Sequence, residues 1–112
     1  MTSSFQDNIS RVELLLNTGE YKKALELLEK ITARKGLSKE NRLVCMLLES
    51  RIEIKLGKLK NALALTEKAL QASLERKDFL RAVESFATKA EIAWRLGEFD
   101  MGLKTVEEGE KL

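Results

Sequence analysis

The strongest constraint on this chain is a heptapeptide that it writes three times. Gly19-Glu20-Tyr21-Lys22-Lys23-Ala24-Leu25, Gly57-Lys58-Leu59-Lys60-Asn61-Ala62-Leu63 and Gly97-Glu98-Phe99-Asp100-Met101-Gly102-Leu103 share one order. Glycine comes first, then a polar residue, a large apolar one, two polar or flexible ones, a small one and leucine. Glycine admits the left-handed backbone of a tight turn, the large apolar residue closes the turn, and the small residue lets two helices approach. The glycines stand 38 and then 40 residues apart in a chain of 112. Recurrence at that period predicts a repeat array rather than an irregular bundle.

Between the turns the apolar spacing is helical. Ser3 or Ser4 is placed to cap a first helix with Phe5, Ile9, Val12, Leu15 and Leu16 on its apolar face, ending at Gly19. A second helix spans about 20–34, carrying Tyr21, Ala24, Leu25, Leu27, Leu28 and Ile31, and Gly36 stops it. Ser38 caps a third, 39–56, with Leu43, Val44, Met46, Leu47, Leu48, Ile52 and Ile54. The fourth, 58–77, is expected to bury Leu59, Ala62, Leu63, Leu65, Ala69, Leu70 and Leu74. Asp78 caps a fifth holding Phe79, Val83, Phe86, Ala90, Ala93, Trp94 and Leu96, and a sixth from Glu98 uses Phe99, Leu103, Val106 and Leu112. No alternating β-branched run competes, so the fold class is all-α. Links of one or two residues force neighbouring helices antiparallel, giving three hairpins in a single domain over 1–112, with repeats about 3–36, 38–77 and 78–112.

At these residues the chain resembles the tetratricopeptide repeat (TPR) family, whose helix-turn-helix unit of about 34 residues carries this turn signature. Ser50 and Ala90 match its close-packing small position, Phe86 its aromatic one, Leu28 and Val106 its second-helix apolar position and Ala69 the next small one. The chain departs from the pattern with Arg11, Glu49 and Lys89 in the usual leucine place, Leu15, Glu53 and Ala93 in the tyrosine place, and no proline. Longer spacing without proline predicts second helices extended by about a turn. The resemblance implies a right-handed α-solenoid acting as a protein–protein interaction scaffold.

In such arrays the first helix of each repeat lines a concave surface open to a peptide or partner helix. Alignment places Gln6, Ile9, Glu13, Leu16 and Asn17 there from the first repeat. Val44, Leu47, Arg51, Ile54 and Lys55 come from the second, and Glu84, Ala87, Glu91, Trp94 and Arg95 from the third. The family's carboxylate clamp needs Lys and Asn where this chain has Ile9, Glu13, Leu47 and Arg51. An apolar floor of Ile9, Leu16, Leu47, Ile54 and Trp94 with a charged rim of Glu13, Arg51, Glu91 and Arg95 suits an apolar peptide or amphipathic helix instead. Each floor residue except Trp94 is equally suited to packing between repeats. Trp94 has its own alternatives, an anchor at the surface or a cover for the neighbouring hairpin.

Composition narrows the remaining classes. With 20 Lys plus Arg, 18 Asp plus Glu and 44% apolar residues, the chain is expected to bury a core rather than stay disordered. It has no histidine and one cysteine, Cys45, set in an apolar run, so a His-assisted nucleophile is impossible and no cofactor, metal or small-molecule substrate is expected. Segment 34–60 carries eight cations against three carboxylates, yet it lacks interleaved aromatics or a docking motif, so nucleic acid is not the expected partner. No run is long enough to span a bilayer, and Met1-Thr2-Ser3-Ser4-Phe5 lacks the regions of a signal peptide, which predicts no membrane association and a cytoplasmic place. The last helix has nothing after it to cover Phe99, Leu103 and Val106. Two expectations compete there, a piece of a longer array or a homodimer.

Overall fold

The structure, a computed structural model, describes residues 4–112. Six helices account for nearly all of it and, among the described residues, there is no strand: α1 Phe5–Asn17, α2 Tyr21–Thr32, α3 Lys39–Lys55, α4 Leu59–Glu75, α5 Phe79–Arg95 and α6 Phe99–Glu110. Side-chain caps start three of them. Ser4 accepts from the Asp7 amide at 3.1 Å, Ser38 from the Asn41 amide at 3.0 Å and Asp78 from the Arg81 amide at 3.2 Å. Ser3 lies outside the described residues.

The turns follow one geometry. At α1–α2, the Glu20 amide donates to the Leu15 carbonyl at 2.8 Å and the Gly19 amide to the Leu16 carbonyl at 3.2 Å, with Gly19 at φ +83°. This is the Schellman pattern, in which a left-handed residue lets the last carbonyls of a helix find donors. The same pair of bonds recurs around Gly57 and Gly97. It also recurs a fourth time, between α4 and α5, where Asp78 bonds back to Ser73 at 2.9 Å and Lys77 to Leu74 at 3.1 Å. Lys77 takes the left-handed place at φ +56°. The following Asp78-Phe79-Leu80-Arg81-Ala82-Val83 keeps the polar, large apolar and small positions of the three glycine turns, but has Leu80 in a polar place and Val83 in place of leucine, besides lysine where the others have glycine.

The expected lengthening of the second helices holds for α4, with 17 residues, but α2 and α6 have 12 each. In the first repeat the extra residues form the α2–α3 link instead. Apolar periodicity lapses after Ile31, Gly36 turns at φ +82°, and half-buried Leu37 docks back on the core.

Each helix packs against the next in the chain, and α3 also meets α5. The resulting body measures 48 × 30 × 18 Å. The largest buried cluster joins α1, α2 and α3 through Ile9, Val12, Leu16, Ala24, Leu28, Ile31, Cys45, Leu48 and Ile52. Further clusters join Leu43 and Leu47 to Ala69, Ile54 to Ala62 and Ile92, and Leu70 to Ala82 and Phe86. Small buried residues allow close approach, and their hydroxyls are satisfied within their own helices. Thr66 donates to the Ala62 carbonyl and Ser73 to the Ala69 carbonyl, each at 2.7 Å, and Ser50 to the Met46 carbonyl at 3.0 Å.

Not every residue expected inside is there. Leu74, Phe79 and Val83 are exposed, as are Phe99, Leu103 and Val106 of α6. Helical spacing tells which residues share a face but not whether a neighbour covers it.

Candidate protein-binding groove

A groove of about 450 Å³ runs across α1, α3 and α5. Its lining comes from the last turn of α1 (Leu16, Asn17), the first residue of α2 (Tyr21), the last turns of α3 (Arg51, Ile54, Lys55) and the middle of α5 (Thr88, Glu91). The turn register explains the gathering. Counting back from each turn glycine, Glu13, Arg51 and Glu91 hold one position, Leu16, Ile54 and Trp94 another, and Asn17, Lys55 and Arg95 a third.

The structure sorts eight of the nine expected site residues into three groups, with Glu13 apart from them. Leu16, Arg51, Ile54 and Glu91 line the groove together. Ile9 and Leu47, expected on its floor, are buried instead, Ile9 within the α1–α3 core and Leu47 against Ala69. Leu16 and Ile54 are themselves only about 5% exposed, so the aliphatic floor lies mostly beneath the surface. The physical reason is that α3 is a central helix, touched by α2, α4 and α5, which consumes nearly all its apolar positions as core. Glu13 is exposed on α1 and does not line this groove.

Trp94 and Arg95 form the third group at the end of α5. Trp94 packs toward α6, its ring centroid 5.3 Å from that of Phe99, and remains 43% exposed. Of its two readings, the contact made here is with the neighbouring helix. Arg95 donates through Nε to Glu91 Oε2 at 3.2 Å, an exposed pair of four-residue spacing on one helix.

The groove's free charges are therefore the cations of α3. Among the described residues, neither Arg51 nor Lys55 has a carboxylate within ion-pair distance, whereas Glu91 is already engaged by Arg95. Tyr21 and Thr88 also line it, outside the expected set, Tyr21 being the residue that closes its turn. The Thr88 hydroxyl, bonded to the Glu84 carbonyl at 2.9 Å, carries no distinguishing sequence signal.

Elsewhere on α3, burial pushes the carboxyls of Glu49 and Glu53 up from their ordinary range. Glu53 and Glu29 raise Glu49 further, and Lys58 opposes the rise at Glu53. Burial also drives the Cys45 thiol up to about 11, so it is protonated and shielded rather than nucleophilic. No group of three or more metal-ligating side chains is present among the described residues. No helix among them is long and apolar enough to cross a membrane.

Comparison with models of protein families, with curated proteins and with solved structures finds no match to this chain.

Proposed function

We propose that the chain is a non-catalytic protein–protein interaction scaffold, a right-handed TPR-like solenoid of three hairpins whose α1–α3–α5 groove binds a segment of a partner protein. The observation that carries this reading is the groove itself, lined by α1, α3 and α5 and by Tyr21 of α2, with Arg51 and Lys55 in its lining and, among the described residues, in no ion pair. Four Schellman turns, each followed by an apolar residue and then a small one, support the repeat architecture.

The lining modifies the ligand expected from sequence. With Ile9 and Leu47 buried, a wholly apolar strip has little floor to cover. An amphipathic segment fits better, with one apolar side chain on the Tyr21 ring, Leu16 and Ile54 and an acidic side chain reaching Arg51 and Lys55. Nucleic acid is disfavoured because the cations of segment 34–60 are dispersed. Arg51 and Lys55 lie in the groove, Lys58 and Lys60 at the α3–α4 turn, and Lys39 and Arg42 at the start of α3. A reduced, buried Cys45 fits a cytoplasmic place.

Selection of a displayed peptide library on the folded protein tests this. The selected peptides should pair an acidic residue with an apolar one and lose at least tenfold in affinity for the exposed double variant Arg51→Glu/Lys55→Glu, with its circular dichroism unchanged. Peptides indifferent to both substitutions would place binding elsewhere.

A further inference from the structure

Two surfaces outside the groove are left open, and their chemistries are opposite. The first is the outer side of α5–α6. Phe99 and Leu103 hold in α6 the register positions that Leu59 and Leu63 hold in α4, where Ile92 and Leu96 of α5 cover them. In α6 the Trp94 ring lies against Phe99, yet Phe99 and Leu103 both remain more than half exposed. Leu103, Val106, Glu107 and Glu110 follow at helical spacing, so one stripe of α6 runs from apolar to acidic. Residues 98–112 contain five carboxylates and two lysines.

The second surface is a groove of about 470 Å³ between the start of α3 and the end of α4. Its floor is apolar, from Leu43, Met46 and Ala72, and its rim carries Lys39, Arg42 and Arg76 against the single carboxylate of Glu75. Among the described residues none of the three cations is in an ion pair, and Glu75 is already bonded by the Gln71 amide at 3.2 Å.

We propose that a second copy of this chain occupies this groove, laying its α6 stripe into it, with Leu103 and Val106 over the apolar floor and Glu107 and Glu110 against Arg42 and Arg76. Charge selects this pairing over the symmetric alternatives. Two α6 stripes face to face would oppose carboxylates, and two α3–α4 grooves would oppose cations, each a repulsive arrangement, whereas the crossed contact is attractive on both counts. It also covers the apolar residues of α6 that the single chain leaves in water. The contact is separate from the α1–α3–α5 groove and does not depend on what binds there.

The test is sedimentation velocity of the full chain over a wide concentration range at low and high salt. The unaltered protein should associate as concentration rises, with a dissociation constant at least tenfold weaker at high salt. Arg42→Glu/Arg76→Glu and Glu107→Lys/Glu110→Lys alter only exposed side chains, so both should keep native circular dichroism. Each should be monomeric alone, and an equimolar mixture of the two should associate again. A concentration-independent monomer for the unaltered protein overturns the proposal. So does association that either double variant leaves intact, or a mixture of the two variants that stays monomeric.

Discussion

Trp94 rests directly on the backbone of α6 at Gly102, where a Cβ would come within 3.3 Å of Trp94 Cε2. Gly102 holds the register position that Ala24 and Ala62 hold in the other repeats, and here the missing side chain is what lets the indole close over the helix. Gly109 has a harder neighbour, since a Cβ there would lie 3.1 Å from the Cβ of buried Phe86. Alanine is favoured over glycine in a helix interior by about 1 kcal/mol. The exposed indole can shift by a few tenths of an ångström, whereas the Phe86 Cβ is tied to its own backbone. Gly102→Ala should therefore raise stability by about 0.5–1 kcal/mol and Gly109→Ala should lower it. Urea denaturation followed by the fluorescence of the single tryptophan measures both.

Lys77 occupies the left-handed position that glycine fills in the other three Schellman turns. A side chain there costs about 1 kcal/mol, part of which glycine gives back through the greater freedom of its unfolded chain. Lys77→Gly should thus stabilise the protein by about 0.5–1 kcal/mol, and Gly57→Ala or Gly97→Ala should destabilise it by a similar amount. Thermal unfolding of the three variants decides the signs.

Glu49 supplies a pH dependence. Its carboxyl is raised above the ordinary value of 4.5, chiefly by burial and then by Glu53 and Glu29. The folded state holds this proton more tightly than the unfolded chain, so the stabilisation is complete below about 4.5 and is lost as pH rises through the folded value. Glu49→Gln removes the charge without removing the side chain. It should raise the melting temperature at pH 7, with the advantage over the unaltered protein vanishing below pH 4.5.

Cys45 should label slowly. With its thiol pushed up to about 11 and its side chain buried, the thiolate fraction at pH 8 is smaller than that of a free cysteine by roughly two orders of magnitude. Reaction with a disulfide reagent should be slow in native buffer and fast in denaturant. A fast native reaction would show that the α1–α3 core opens readily.

Much of the architecture is written locally. Ser4, Ser38, Asp78 and the turn glycines satisfy helix ends with groups a few residues away, so the six helices can be placed from the sequence. The α4–α5 turn escaped the repeat pattern because its left-handed residue is Lys77, and α2 stops at Thr32, two residues before the expected Arg34, with Leu37 of the following link docked on the core. Six of the groove's eight lining residues were legible: register gathers Leu16, Asn17, Arg51, Ile54, Lys55 and Glu91, but not Tyr21 or Thr88.

What the sequence determined by itself is therefore the set of helices, their caps and turns, and the position each residue holds within its repeat, because these depend on bonds and spacings within a few residues. Tertiary structure decided which faces are covered. Leu47 and Ile9 became core because α4 and α2 lie over them, whereas Leu103 and Phe99, equally apolar and equally spaced, stay more than half exposed because α6 has α5 on one side and, among the described residues, no helix packed on the other. Burial is a property of neighbours, and neighbours are fixed only when the helices stack.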